Sequence, residues 1–395
     1  MLTMLQPAIW LVIFIVGLPQ LSETVYTPAL PEIANALRVP EAQVEYTLTI
    51  YLFAFALGTL FWGKLSDSYG RKPCILAGIF IFLLGCVGCY LSSSIELLLL
   101  SRFVQAFGGS IGSVLGQAIC RDAFNGPALS RAYASVGMAL ALYPAIGPVI
   151  GGFIAQHLGW SFIFLFLIVV SVLLAILVSL FLPETHHKDK RNPVSILEVG
   201  TSLIRNGKVI AYGLLVAGCN GIMFSYFAEG SFYLIDLLHW SPSQYGLSFI
   251  AIAASTMMGG FFVKHLQQKH SSDYILGAGL WVMLAGAAMS SLVIGSTLWF
   301  SVPHWTLSLI TILAQMTIMF GSCIVTSTAL ANALVEYKWC IGTASSLFGF
   351  SYYCLISLLS FAMGILHNGT LYPMPFYFLG ITLVMMLVRC SLLRK

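Results

Sequence analysis

The chain has 395 residues, of which 59% are hydrophobic and 8% charged, with a formal net charge of +4. Ordinary soluble domains carry about 25% charged residues, so this sequence cannot cover a water-facing surface and belongs in a lipid bilayer. No nucleic-acid partner is expected, because the small positive balance reads as a topology signal.

Apolar runs of roughly 20 residues, long enough as helices to cross a core of about 30 Å, fall in chain order at 6–27, 44–63, 73–92, 96–119, 132–155, 160–182, 209–234, 244–264, 273–294, 303–330, 342–366 and 372–390. Their length, and the lack of period-two polar alternation, predicts helices and argues against a barrel. The fold class read from this pattern is an all-α membrane protein with twelve spans. The first run is preceded by MLTMLQP, which has no positive charge, and is longer than a signal h-region, so it is expected to stay as a permanent helix.

Positive residues near membrane ends are retained in the cytoplasm. With loops assigned alternately, one side collects sixteen Lys and Arg: Lys64, Arg71, Lys72, Arg121, Arg131, Lys188, Lys190, Arg191, Arg205, Lys208, Lys264, Lys269, Lys338, Arg389, Arg394 and Lys395. The other side has Arg38, and Arg102 lies inside a span. Both termini are therefore expected in the cytoplasm. The least hydrophobic connection, THHKDKRNPVSILEVGTSLIRNG, separates a six-span unit at 1–184 from a second at 209–395, with 185–208 as a cytoplasmic linker. VPEAQVEYTLTIYLF before the second span resembles WSPSQYGLSFIAIA before the eighth, and each follows a span that carries an acid. Parallel six-helix repeats of this kind place a site between the halves.

Three spans carry a charge more than three residues from either end. In the first, Glu23 shares a polar stripe with Gln20, Thr24 and Thr27. In the fourth, Arg102 lies where a charge costs at least about 2.5 to 3.5 kcal/mol. Gln105, Gly109, Gly112 and Gly116 follow it on the same helical face, which is polar at one end and small thereafter, and such a face can meet another helix closely. In the seventh, Glu229 projects with Tyr226 and Tyr233, while Asn220 extends the polarity deeper. An unpaired ionised carboxylate there is costly, whereas a protonated one, or one facing a cation, is tolerated. The nine cysteines lie mostly in apolar runs as packing residues, so neither a metal site nor a disulfide framework is expected. The eight histidines fall near span ends or loops, where solvation is the default.

Between the second and third spans stands GKLSDSYGRKP. Gly63 and Gly70 allow close approach and a tight turn. Asp67 is expected to accept hydrogen bonds from a neighbouring helix N-terminus, with Arg71 and Lys72 holding the loop on the inner side. This stretch resembles the cytoplasmic signature of the major facilitator superfamily, although Ser68 stands where an Arg is usual. RFVQAFGGS resembles that family's fourth-helix motif. YPAIGPVIGG, with Pro144, Gly147, Pro148, Gly151 and Gly152, resembles the fifth-helix motif of its proton-driven exporters, with an upstream Gly displaced to Gly137. LPET at 182–185 looks like the end of helix six in the same group. YTPALPEIA and GTASSLFGF are similar to Bcr/CflA-type drug:proton antiporters, and the resemblance spans nearly the whole chain. The chain departs from these relatives in the first span, where the usual acid position is Thr24 and Glu23 comes one residue early. It departs again at Glu229, where a small residue is usual.

The resemblance implies a twelve-helix, two-repeat secondary transporter of the bacterial inner membrane, monomeric, not an enzyme, with no cofactor beyond a proton gradient. Its expected cargo is a small lipophilic or cationic drug-like molecule exchanged for protons. Glu23, Glu229, Arg102, Gln105, Tyr26, Tyr226, Tyr233 and Asn220 are the expected proton and substrate residues. Gly63, Asp67, Gly70, Arg71 and Lys72 form the gating loop. No phosphate-binding G-x-x-x-x-G-K-[ST] occurs, so ATP-driven transport is not expected. Export of a native metabolite such as a siderophore or amino acid derivative is the alternative within transport. A non-transporting membrane sensor is the alternative outside it.

Overall fold

The computed structural model describes residues 7–185 and 196–393. The topology charges Lys188, Lys190, Arg191, Arg394 and Lys395, and most of the MLTMLQP segment, lie outside the described residues. Twelve helices are long and apolar enough to cross a membrane, and no strand occurs among the described residues. The spanning helices are α1 (Ile9–Leu37), α2 (Glu41–Tyr69), α3 (Arg71–Tyr90), α4 (Ile95–Ala123), α5 (Gly126–Leu158), α6 (Ser161–Phe181), α8 (Gly207–Leu237), α9 (Pro242–Leu266), α10 (Ser272–Ser296), α11 (His304–Tyr337), α12 (Ile341–Leu366) and α13 (Pro373–Leu393). A short helix, α7 (Ile196–Arg205), lies within the segment read from sequence as linker. Its Val199 and Leu203 are buried with Val209 and Phe348, whereas Leu197 and Ile204 are exposed. One apolar edge thus faces the bundle and another faces outward.

Several helices outrun the apolar stretches that predict them, because backbone hydrogen bonding continues past the first charged side chain until a cap or breaker intervenes. Within α1 the regular bonding is interrupted at Pro28, whose ring nitrogen cannot donate to the Thr24 carbonyl, before the helix resumes to Leu37. The chain tightens there into a 3-10 turn, Thr27–Ala29, and the Thr27 hydroxyl donates to the Thr24 carbonyl instead, at 2.9 Å. Between α2 and α3 the connection is Gly70 alone, at φ +100°, a conformation that L side chains rarely adopt.

Glycines set the closest helix contacts. A Cβ on Gly112 or Gly116 of α4 would strike Ile15 or Val16 of α1, so the small face that begins at Arg102 is the one on which α1 lies. In α5, a Cβ on Gly147 would strike Thr24, and one on Gly151 the Val25 carbonyl. One on Gly152 would meet the Pro242 carbonyl of α9. The Pro-Gly run therefore packs α5 against its own half along one edge and against the other half along the next.

The first six spans and the last six meet along α5 with α9 and along α2 with α12. From mid-depth, where the tilted rings of Phe55 and Tyr353 meet at 4.7 Å, the second seam continues through Tyr46–Phe361 and the Thr49–Ser360 hydrogen bond to Glu41 and His367. The first seam runs to the same end, where the Ser243 hydroxyl donates to the Gly152 carbonyl. The ring contacts, hydrogen bonds and ion pair just named thus run from mid-depth to the end that carries His367, opposite the Arg71 end. The halves are sealed at the His367 end.

Candidate functional site

Arg102 is fully buried, and its guanidinium lies between two tyrosine rings, 3.9 Å from the centroid of Tyr26 and 4.2 Å from that of Tyr51. A desolvated cation between two aromatic faces gains about 2 kcal/mol or more per ring. Its Nη1 donates to Gln105 Oε1, three residues on along α4, and over 3.4 Å to the Ser22 carbonyl. Gln105 in turn donates to Cys86 Sγ on α3, and Tyr51 donates to the Pro19 carbonyl. Arg102 Nε and Nη2 have no hydrogen-bond partner. Glu23, 1% exposed, lies within electrostatic reach of Arg102, and its Oε1 is also without a partner. Tyr352 and Tyr353 of the other half are within reach of the Glu23 charge. The structure thus gathers Glu23, Tyr26, Arg102 and Gln105 into one buried polar cage that looks toward the seam.

Thr24 does not belong to it. Its hydroxyl donates to the Gln20 carbonyl, and its side chain fills the space over Gly147. The one-residue shift of the acid therefore changes its neighbour from α5 to Arg102.

Glu229 has different company. It is 1% exposed, and its Oε2 lies 2.8 Å from Nδ1 of His367, at the end of α12. On the other side of the ring, Nε2 lies 2.8 Å from Oε2 of Glu41, and Glu45 Oε1 is 3.9 Å from Nδ1. Glu45 is buried with neither oxygen hydrogen-bonded. Burial alone would push the His367 imidazole down, but the hydrogen bond and charge of Glu229, with Glu41 behind them, hold it above its ordinary value. The expectation that histidines at span ends are solvated fails at His367, whose side chain is 8% exposed because α2 and α8 close over it. Sequence reasoning missed Glu41, Glu45 and His367. The legible signal was the four-residue spacing of Glu41 and Glu45, which puts two acids on one helical face at the start of a span.

The other residues expected near Glu229 are less convergent. Tyr226 OH is buried without a partner, the Tyr233 hydroxyl accepts from Thr311 at 3.4 Å, and Asn220 donates to the Val216 carbonyl of its own helix. Glu23 and Glu229 share no hydrogen-bond partner.

At the opposite end, Arg71 binds Asp67 at 2.7 Å, Asp122 at 2.9 Å and the Ser66 hydroxyl at 2.7 Å. The expectation that Asp67 caps a neighbouring helix is corrected here. Glu184 does so, its carboxylate accepting from the backbone N–H groups of Arg71 at 2.9 Å and Lys72 at 3.1 Å. An Asp67 oxygen is drawn to the guanidinium one turn away, leaving the α3 N-terminus to an anion from the end of α6. Lys72 Nζ donates to the Ser179 carbonyl.

The description Major Facilitator Superfamily matches residues 9–361. The chain is 33% identical over 366 residues to an uncharacterized transporter of Rickettsia felis, covering 92% of this chain and 90% of that one. It is 28% identical over 363 residues to a bicyclomycin resistance protein homolog of Haemophilus influenzae, covering 91% and 89%. A crystal structure of a bacterial homolog of the human lysosomal transporter Spinster superposes with a TM-score of 0.75 at 15% identity, covering 97% of this chain and 94% of that one. Twelve spanning helices, the glycine-hinged Asp67–Arg71 loop and a match over nearly the whole sequence converge: the chain belongs to the Major Facilitator Superfamily and is a multi-pass membrane transporter, not an enzyme.

Proposed function

We propose that this protein exports small lipophilic or cationic drug-like molecules in exchange for protons across the bacterial inner membrane, with the Arg71 end and both termini in the cytoplasm. The Haemophilus influenzae relative named for bicyclomycin resistance supports drug-like cargo. The observation that carries the reading is Glu23, a buried carboxylate with an unbonded oxygen beside the tyrosine-caged Arg102. A cage whose positive member cannot lose its charge leaves Glu23 two ways to be satisfied. It binds a proton, or, ionised, it attracts a cation, either Arg102 or a positively charged part of the cargo. Tyr26, Tyr51, Tyr352 and Tyr353 supply flat apolar contact suited to aromatic cargo. With the halves sealed at the His367 end, the cage in this conformation serves the cytoplasmic side.

The driving force is adequate. An inward-moving charge gains about 2.3 kcal/mol per 100 mV, and each pH unit adds about 1.4 kcal/mol. The test is uptake of a fluorescent lipophilic cation into proteoliposomes under an imposed pH gradient. Wild-type protein should concentrate the dye, whereas Glu23→Gln should only equilibrate it. Gradient-driven accumulation by Glu23→Gln at the wild-type rate would overturn the reading.

A further inference from the structure

We propose that Glu41, Glu45, Glu229 and His367 form a proton-binding site shared between the two halves, filled from the outer solution as that end closes, so that outer proton concentration sets how firmly the gate is shut. The inference uses the orientation proposed above and is independent of proton exchange at Glu23.

The residues converge from three helices. Glu41 and Glu45 come from α2 in the first half, while Glu229 of α8 and His367 at the end of α12 come from the second. Other titratable groups also act here. Asp236, on the π-helical last turns of α8 (Phe232–Leu237), feels the charges of Glu41, His239 and His367, and Tyr233 feels that of Glu229. The Phe232 ring covers the imidazole at 5.5 Å between centroids, and Glu45 lies over Gly364, where a Cβ would come 3.2 Å from its Oε2. Glu45, Glu229 and His367 are dry, whereas the Glu41 side chain is 38% exposed at the outer edge of the cluster.

Charge accounting then requires a ligand. Glu41, Glu45 and Glu229, if all ionised, bring three negative charges against one imidazole. Each imidazole nitrogen already faces a carboxylate oxygen at 2.8 Å, an arrangement satisfied on both sides when His367 carries two protons and donates both. Glu45 is left with two buried oxygens that no donor group meets, beside the Glu229 carboxylate. An ionised carboxylate in that position would cost several kcal/mol. A proton on Glu45 removes the charge and gives it a donor. When the halves part, all four side chains regain water and that demand disappears. Protons are therefore taken up on closing and returned on opening, to the same side, which makes this a gate bias and not the transported proton.

The sign follows from His367. Its value in the closed gate is held above the ordinary one, so its contribution to closure is fully present below the ordinary histidine value, about 6.5. That contribution is lost as pH rises through the raised value.

Spin labels at Gln43→Cys and Thr370→Cys, both exposed positions at this end, would report gate distance in nanodiscs between pH 5 and 9 with chelator present. Wild-type protein should move from a short to a long distance as pH rises, with its midpoint above 6.5. Glu45→Gln, a neutral shape-mimic of the protonated acid, should hold the gate shut about one pH unit higher, a tenfold change in proton demand. His367→Gln should lower the midpoint by at least as much. A distance that ignores pH, closure that needs an added divalent cation, or the two variants shifting the same way would each overturn the inference. Glu23→Gln separates the two sites. A gate response preserved while gradient-driven uptake is lost supports a distinct outer site, and a response abolished by Glu23→Gln overturns it.

Discussion

Glu23 and Glu229 are both 1% exposed carboxylates inside spanning helices, yet they are balanced by opposite kinds of cation. Glu23 sits by an arginine, which keeps its charge at every relevant pH. Glu229 sits against a histidine, whose charge changes within the range cells encounter. The cation beside the first acid is held by residues of its own half, from α1, α2 and α4, whereas the histidine beside the second acid also meets acids of the other half. A fixed counter-charge within one rigid half makes the acid the member that titrates while the cage keeps its shape. A titratable cation that also faces acids across a seam, Glu41 and Glu45, makes the seam itself sensitive to protons.

The strongest way to break that contrast is to remove the fixed cation. Arg102→Gln abolishes two cation–π contacts worth about 2 kcal/mol each when desolvated and strands Glu23 without its positive neighbour. Gradient-driven uptake should fall about 100-fold or more and thermal melting in detergent should drop clearly. Arg102→Lys keeps the charge but cannot lie flat between Tyr26 and Tyr51. It should recover less than a tenth of wild-type uptake, and near-full recovery would show that the charge alone matters.

The next test concerns register. Thr24 faces α5 over Gly147 and Glu23 faces the Arg102 cage, so Glu23→Ser/Thr24→Asp moves the acid to the wrong neighbour. Uptake should match that of Glu23→Gln, and wild-type uptake by the double variant would remove position 23 from the site. This step also marks what was legible in the sequence. Twelve helices could be read from apolar length, and the Arg102 to Gly116 face from spacing, because both are properties of one helix. The company of Glu229 could not, because His367 is 138 residues away in sequence and reaches it through the packing of α12 against α8 and α2. Glu184 was visible as part of LPET, but its bond to the α3 N-terminus depends on how α6 ends, which no local pattern encodes.

Packing offers a smaller effect. A Cβ at Gly151 would collide with the Val25 carbonyl, while one at Gly137, the displaced motif glycine, would meet nothing within 4 Å. Gly151→Ala should therefore destabilise by about 1 to 3 kcal/mol through forced separation of α5 from α1. Gly137→Ala should be neutral or raise melting slightly, by up to about 1 kcal/mol of helix propensity. Equal losses in both would mean that the α5 motif acts through backbone flexibility and not through close approach.

The smallest effect separates two acids at the far end. Glu184→Ala strips the anion from the α3 N-terminus, a cap worth about 1 kcal/mol, and should lower melting accordingly. Asp67→Asn should change melting by less than about 0.5 kcal/mol, since its side chain is 61% exposed and exposed pairs contribute little. Arg71 also keeps Asp122 and Ser66 in that variant. If Asp67→Asn nevertheless slows uptake with unchanged dye affinity, the pair must be stronger in another conformation of the Arg71 end than in this one. The outer cluster would then have a counterpart: a carboxylate–cation contact at each end, each dependent on the conformation of its own end, but with only the histidine end read by protons.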